Sequence, residues 1–149
     1  MVAVFQRVAE ASVAVSGKVV GECGAGCVVL LGVAAGDTEA DAKKLAAKIS
    51  KLRVFSDENG KLNKSVKDIG GSALVVPNFT LIANYVHGNR PDFMGAAPPA
   101  EADALFEKFC DALAGEGVPV AKGIFGADML VSIKNDGPVT LVLDSRQLK

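Results

Sequence analysis

The run Val28-Val29-Leu30-Leu31 constrains the fold more than any other stretch of this chain. Four consecutive large apolar residues, set off by Gly24 and Gly26, read as a central strand buried on both faces. The run sits inside Cys27 to Ala35, the longest apolar stretch, which is too short to cross a membrane. The rest of the chain must therefore supply the cover. In 149 residues, half of them hydrophobic, one domain spanning 1–149 with one packed interior is the simplest expectation.

The cover is legible by periodicity. Val2 to Val15 alternates as a strand, and Ser16-Gly17-Lys18 reads as a hairpin turn into Val19-Val20. Thr38 to Ser50 reads as a helix, capped by Asp37 or Thr38, with Leu45, Ile49 and Leu52 on one face. Ser56 to Gly60 is a turn. Ala73 to Asn84 is β-like but holds Pro77, which cannot donate to a ladder, so the strand lies at an edge, is bulged or ends there. Pro98-Pro99 opens a second helix that Gly115 ends, with Leu105, Phe106, Phe109 and Leu113 as its buried stripe. Two final strands flank Gly137-Pro138, a dipeptide that marks a sharp turn. The order predicts a mixed α/β arrangement with two helices on one side.

Composition removes several function classes. A net charge of −1 excludes a globally basic RNA-binding protein. Half of the sixteen Lys and Arg nevertheless fall between residues 43 and 67, offset there only by Asp57 and Glu58. That segment is either a phosphate-facing patch or a solvated helix face. Three cysteines, Cys23, Cys27 and Cys110, argue for a reducing compartment and against a disulfide scaffold. A metal at Cys23 and Cys27 would need further ligands, and the chain has one histidine, His87, in a loop-like setting. Gly24-Ala25-Gly26 lacks the glycine and helix of a dinucleotide turn. No metal, cofactor or acid/base cluster is expected. Thr80 is the nucleophile by residue type, but no activating base accompanies it, so substrate positioning is the alternative role.

Short segments spread along the chain carry a resemblance. They are Phe5-Gln6-Arg7-Val8, Arg53-Val54-Phe55-Ser56-Asp57, Gly60-Lys61-Leu62-Asn63, Phe79-Thr80-Leu81, Gly88-Asn89-Arg90-Pro91-Asp92-Phe93, Phe125-Gly126-Ala127-Asp128-Met129 and Asn135-Asp136-Gly137-Pro138-Val139-Thr140. In this order and spacing the chain resembles the D-aminoacyl-tRNA deacylases over nearly its whole length. The resemblance implies a single-domain, three-layer β/β/α fold and a cytoplasmic homodimer. It implies hydrolysis of the ester between a D-amino acid and the 3′ end of tRNA, and of glycyl esters on other tRNAs. Catalysis in this family leans on the substrate's own ribose hydroxyl.

The same resemblance assigns roles. Asn78, Phe79 and Thr80 form the catalytic segment, with backbone amides near Phe79 and Thr80 facing the oxyanion. Gly137-Pro138, cis in the family, enters the partner subunit's site as a chiral gate that excludes L-amino acids, and Arg7 holds it in place. Phe125, Gly126 and Ala127 border the terminal adenosine. The usual motif reads Ser-Gln-Phe-Thr-Leu, whereas this chain has Pro77 and Asn78 at its first two positions. That departure leaves open relaxed chiral selection and one rival, a catalytically weak paralogue that binds aminoacylated RNA ends; a small-ester hydrolase using Thr80 is a second rival.

Overall fold

A computed structural model describes residues 1–149. The elements are β1 (Val2–Val15), β2 (Lys18–Cys23), β3 (Gly26–Gly32), α1 (Glu39–Lys51), β4 (Phe55–Ser56), β5 (Leu62–Lys64), β6 (Ser72–Pro77), α2 (Pro99–Gly115), β7 (Val120–Lys122) and β8 (Leu130–Asp144). Six strands form one mixed sheet, and β4 and β5 make a separate small hairpin. β8 runs antiparallel along one edge of β1, while β3 and then β2 share its other edge. β3, β6 and β7 are parallel.

β3 is central and fully enclosed, as its apolar run requires. Its side chains and those of β6 alternate between two cores. Val29, Leu31, Ala73 and Val75 join the larger core with Leu45, Ile49, Phe106, Phe109 and Leu113 of the helices. Val28, Leu74 and Val76 join a second core with Val8, Ala11, Val13 and Cys23. The sheet curls to create that second core. Gly21 of β2 lies so close to β7 that a Cβ there would sit 2.7 Å from the Lys122 carbonyl oxygen.

β1 serves both cores because its phase changes midway. Ala3 and Phe5 face the helices, whereas Ala11 and Val13, of the same parity, face the second core. Register irregularities against β8 between Gln6 and Glu10 account for the change. The buried residues of the strand are thus divided between the two cores, whereas simple alternation would have put all odd positions on one side.

The expected helices hold with small adjustments. Thr38 is the N-cap of α1, and the Asp41 carboxylate accepts from its N–H at 2.8 Å and its hydroxyl at 3.1 Å. Asp37 instead accepts from Ala34 N–H and pairs with the Met1 ammonium at 2.7 Å. α2 includes Gly115, and the left-handed turn that ends it falls at Gly117, φ 95°. Leu105 is only half-buried, so the stripe rests on Phe106, Phe109 and Leu113.

One expectation is corrected outright. Gly137-Pro138 does not separate two final strands by a sharp turn; it lies inside one strand, β8. Both flanks pair with the same strand: Thr140 opposes Gln6, and Asn135 opposes Val8. On β1 only Arg7 lies between those pairs, while on β8 four residues do. Asp136 to Val139 therefore leave the ladder as a bulge within one long strand.

Candidate active site

The parallel strands end on a cavity. β6 stops at Pro77, which closes the ladder opposite Leu31, and Asn78 N–H still reaches the Leu31 carbonyl at 2.8 Å. The chain then turns through a short 3₁₀ segment, Phe79–Leu81, so the β-like stretch from Ala73 holds as strand only to Pro77. Gly32 permits this turn: a Cβ there would lie 3.0 Å from Leu81 Cβ and 3.1 Å from the Asn78 carbonyl oxygen.

The turn's first internal bond runs from Leu81 N–H to Asn78 O. The N–H groups of Phe79 and Thr80 precede it and have no acceptor within the chain. The Thr80 hydroxyl donates to Asn78 Oδ1 at 2.5 Å. An amide oxygen is not a base of useful strength, so this contact orients the hydroxyl without activating it.

Asn78, Phe79 and Thr80 line one cavity of about 460 Å³ together with Phe125, Gly126 and Ala127. The two segments resemblance paired as catalytic and adenosine-binding are thus brought together. Asp128 is the one ionisable residue in that lining, which is otherwise Leu30, Val76, Pro77, Met129, Val131 and Ile133. Gly126 has φ 79° and nothing within 4 Å of where a Cβ would be. A second cavity of about 470 Å³ shares Pro77, Asn78, Phe79, Phe125 and Gly126 and extends to Phe93, Ala96 and Phe106. Phe79 and Phe93 meet edge-to-face with centroids 5.1 Å apart. Sequence reading gave Phe93 no site role, and placed Asp128 at the site only as part of the segment Phe125 to Met129. His87 lines neither cavity. No group of three or more His, Cys, Asp or Glu is placed to hold a metal.

Arg7, Gly137 and Pro138 lie elsewhere. Arg7 pairs with Cys27 at the start of β3, whereas the cavity opens beyond Leu31 at its end. Along β3 four strand residues, or roughly 13 Å, separate the two levels, while on the curled β8 the lining reaches Ile133 but not Gly137 or Pro138. The Gly137-Pro138 peptide is cis. Its bulge is held by a compact network. Arg7 Nε donates to the Asp136 carbonyl at 3.1 Å, and Arg7 Nη1 donates to the Val54 carbonyl at 2.8 Å. Asn135 Nδ2 donates to the carbonyls of Arg7 and Val139 at 2.9 and 3.1 Å. Thr140 Oγ1 donates to Asn135 Oδ1 at 3.2 Å. Gly137 has φ 126°, and a Cβ there would sit 3.0 Å from Arg7 Nη2.

A curled mixed sheet thus carries two helices on one face and a mostly apolar cavity at the ends of its parallel strands. The chain superposes on a structure titled a probable eukaryotic D-amino acid tRNA deacylase with TM-score 0.82 at 17% identity, covering 95% of this chain and 97% of that one. It superposes on the c-Myc DNA Unwinding Element Binding Protein with TM-score 0.90 at 42% identity, covering 97% and 98%. The family model described as D-Tyr-tRNA(Tyr) deacylase matches residues 4–144. The D-aminoacyl-tRNA deacylase of Ruegeria pomeroyi is 58% identical over 144 residues, 97% of this chain and 99% of that protein. That of Dehalococcoides mccartyi is 58% identical over 146 residues, 98% and 95%. The chain belongs to the D-aminoacyl-tRNA deacylase family and is a hydrolase of that kind, with Pro77-Asn78 in its motif.

Proposed function

We propose that this enzyme removes D-amino acids, and glycine from tRNAs that should not carry it, by hydrolysing the ester at the tRNA 3′ end. It releases free tRNA and amino acid, acting as a cytoplasmic homodimer in which one polypeptide is one domain. The observation that carries this reading is the shared cavity. Asn78, Phe79 and Thr80 face Phe125, Gly126 and Ala127 across a space of about 460 Å³, with a second lobe alongside. A two-lobed site suits a two-part substrate, a nucleoside and an aminoacyl group.

The chemistry follows from what the lining offers. Water adds to the ester carbonyl, the bond to the ribose oxygen breaks, and that oxygen takes up a proton. The neighbouring ribose hydroxyl assists, as the family resemblance implies, while the Thr80 hydroxyl is engaged by the Asn78 amide oxygen. The free N–H groups of Phe79 and Thr80 receive the oxyanion. Phe125 stacks on the adenine, and Gly126 and Ala127 leave room for its flat face.

Gly137-Pro138 acts in the second protomer's site. Neither residue lines either lobe of the cavity in its own chain, which supports that assignment. Its carbonyl oxygens fill the space an L side chain needs, and Arg7 holds them in place.

The test is release of tyrosine from D-tyrosyl-tRNA and L-tyrosyl-tRNA, side by side, by the native enzyme and by Gly137→Ala. Hydrolysis of the D form alone by the native enzyme is expected. Hydrolysis of neither, with the RNA end still bound, would replace this reading with that of a binding module.

A further inference from the structure

The lysine-rich segment 43–67 has no role in the site described so far. Its eight basic residues oppose two acidic ones, so it carries +6, while the rest of the chain holds eight basic and fifteen acidic residues. An otherwise acidic protein thus concentrates its positive charge on one stretch of surface.

That charge is largely uncommitted. Lys43 pairs with Glu39 and Lys64 with Glu58. Lys44, Lys48, Lys51, Arg53, Lys61 and Lys67 are all exposed, and none is within ion-pair reach of a carboxylate. Lys44, Lys48 and Lys51 fall at i, i+4 and i+7 on one face of α1. Arg53 is fixed by donating twice to Asn63, which ties the end of α1 to the β4–β5 hairpin that carries Lys61.

The Lys51–Arg53 end of this segment lies at the gate end of the molecule. Arg7 reaches past the Gly137-Pro138 bulge to the Val54 carbonyl, immediately after Arg53. α1 and α2 both end here, and β3 and β6 both begin here. The cavity is at the opposite ends of those strands.

We infer that this surface docks the phosphates of the tRNA stem, and that it does so for the substrate held in the partner protomer's cavity. The inference rests on the proposed reading of Gly137-Pro138 as a gate inserted across the dimer. A bulge that enters the partner's cavity brings the adjoining Lys51, Arg53 and Lys61 to the rim of that cavity. The RNA then bridges the dimer, with its 3′ end on one protomer and its stem on the other.

The test compares two substrates, D-tyrosyl-tRNA and 3′-O-D-tyrosyl-adenosine, with the native enzyme and with the triple variant Lys48→Ala, Lys51→Ala, Lys61→Ala. The variant is expected to raise KM for the tRNA at least about tenfold at low salt and to flatten the salt slope of binding by about 2–3, at roughly 0.7–0.9 per lost phosphate contact. KM and kcat for the nucleoside ester stay at native values. Equal kinetics on both substrates would overturn the docking surface. No turnover of either substrate by the native enzyme would instead overturn the deacylase reading on which it rests. A mixed dimer decides the placement. One protomer carries the triple variant and an open cavity; the other carries native lysines and Ala127→Trp to block its cavity. Native KM for the tRNA is expected, and a raised KM would show that each protomer serves its own cavity.

Discussion

Asn135 and Arg7 clasp each other across the bulge in β8. The Asn135 side-chain amide donates to the Arg7 carbonyl at 2.9 Å, and the Arg7 guanidinium donates to the Asp136 carbonyl at 3.1 Å. Asn135 Nδ2 also reaches Val139 O, so one side chain spans the base of the excursion.

Removing that clasp should free the bulge without unfolding the sheet. Asn135→Ala is expected to cost about 1–3 kcal/mol, the penalty for leaving partly buried carbonyls unpaired. Hydrolysis of L-tyrosyl-tRNA should rise at least about tenfold, a discrimination loss of about 1.4 kcal/mol. Thermal unfolding and the D/L rate ratio, measured on the same preparation, check both parts.

Thr80→Ala tests the mode of catalysis. If the hydroxyl only orients through Asn78, kcat should fall by no more than about tenfold, far short of the roughly million-fold loss that follows removal of a true nucleophile. Pre-steady-state release of tyrosine should show no burst in the native enzyme. A burst, or near-complete loss of turnover, would establish a covalent route instead.

Acid should destabilise the fold in a defined window. The Thr38 N–H holds the Asp41 carboxyl below its ordinary value, the Lys61 N–H does so for Asp57, the Ser65 N–H for Asp68, and the Arg146 side chain for Asp144. A carboxylate depressed in the folded state stabilises it above the unfolded value near about 3.9. That stabilisation is lost as pH falls through the folded values. The unfolding midpoint should be flat from about pH 8 to 5 and should drop below about pH 4. A midpoint that held steady down to pH 2 would contradict this.

The three thiols should be silent until the protein opens. Cys23, Cys27 and Cys110 are all buried and free. Burial raises all three, and Cys110 is pushed up to about 12. A chromogenic disulfide reagent should therefore find none in the native protein and three in denaturant. The sign at high pH is opposite to that of the carboxylates. Raised thiols favour the fold below the unfolded value near about 8.5 and cease to do so as pH climbs above it.

Local pattern was enough for the elements but not for the partner of each. Val28 to Leu31 announced a strand enclosed on both faces, and β3 is that strand. Pro77 announced the end of a ladder, and β6 ends there. The bulge was hidden because Asn-Asp-Gly-Pro between apolar runs is also the pattern of a turn. Only the length of β1 shows that both runs lie against one strand, and that pairing spans more than a hundred residues. The 3₁₀ turn at Phe79 was masked by β-favoured residues, with Gly32, far back in the chain, making space for it. The shared cavity was legible only through resemblance, since no periodicity links Thr80 to Phe125.

β3 and β6 alternate their side chains between two cores, and only their last residues reach the cavities. Along their length every substitution is a question of volume, answered by neighbours above and below. Room for sequence drift opens only where the strands run out. Pro77 and Asn78, the two positions that depart from the motif expected by resemblance, stand at that boundary. The architecture thus steers variation toward the mouth of the cavity, where a change can retune what the enzyme accepts while leaving the scaffold intact.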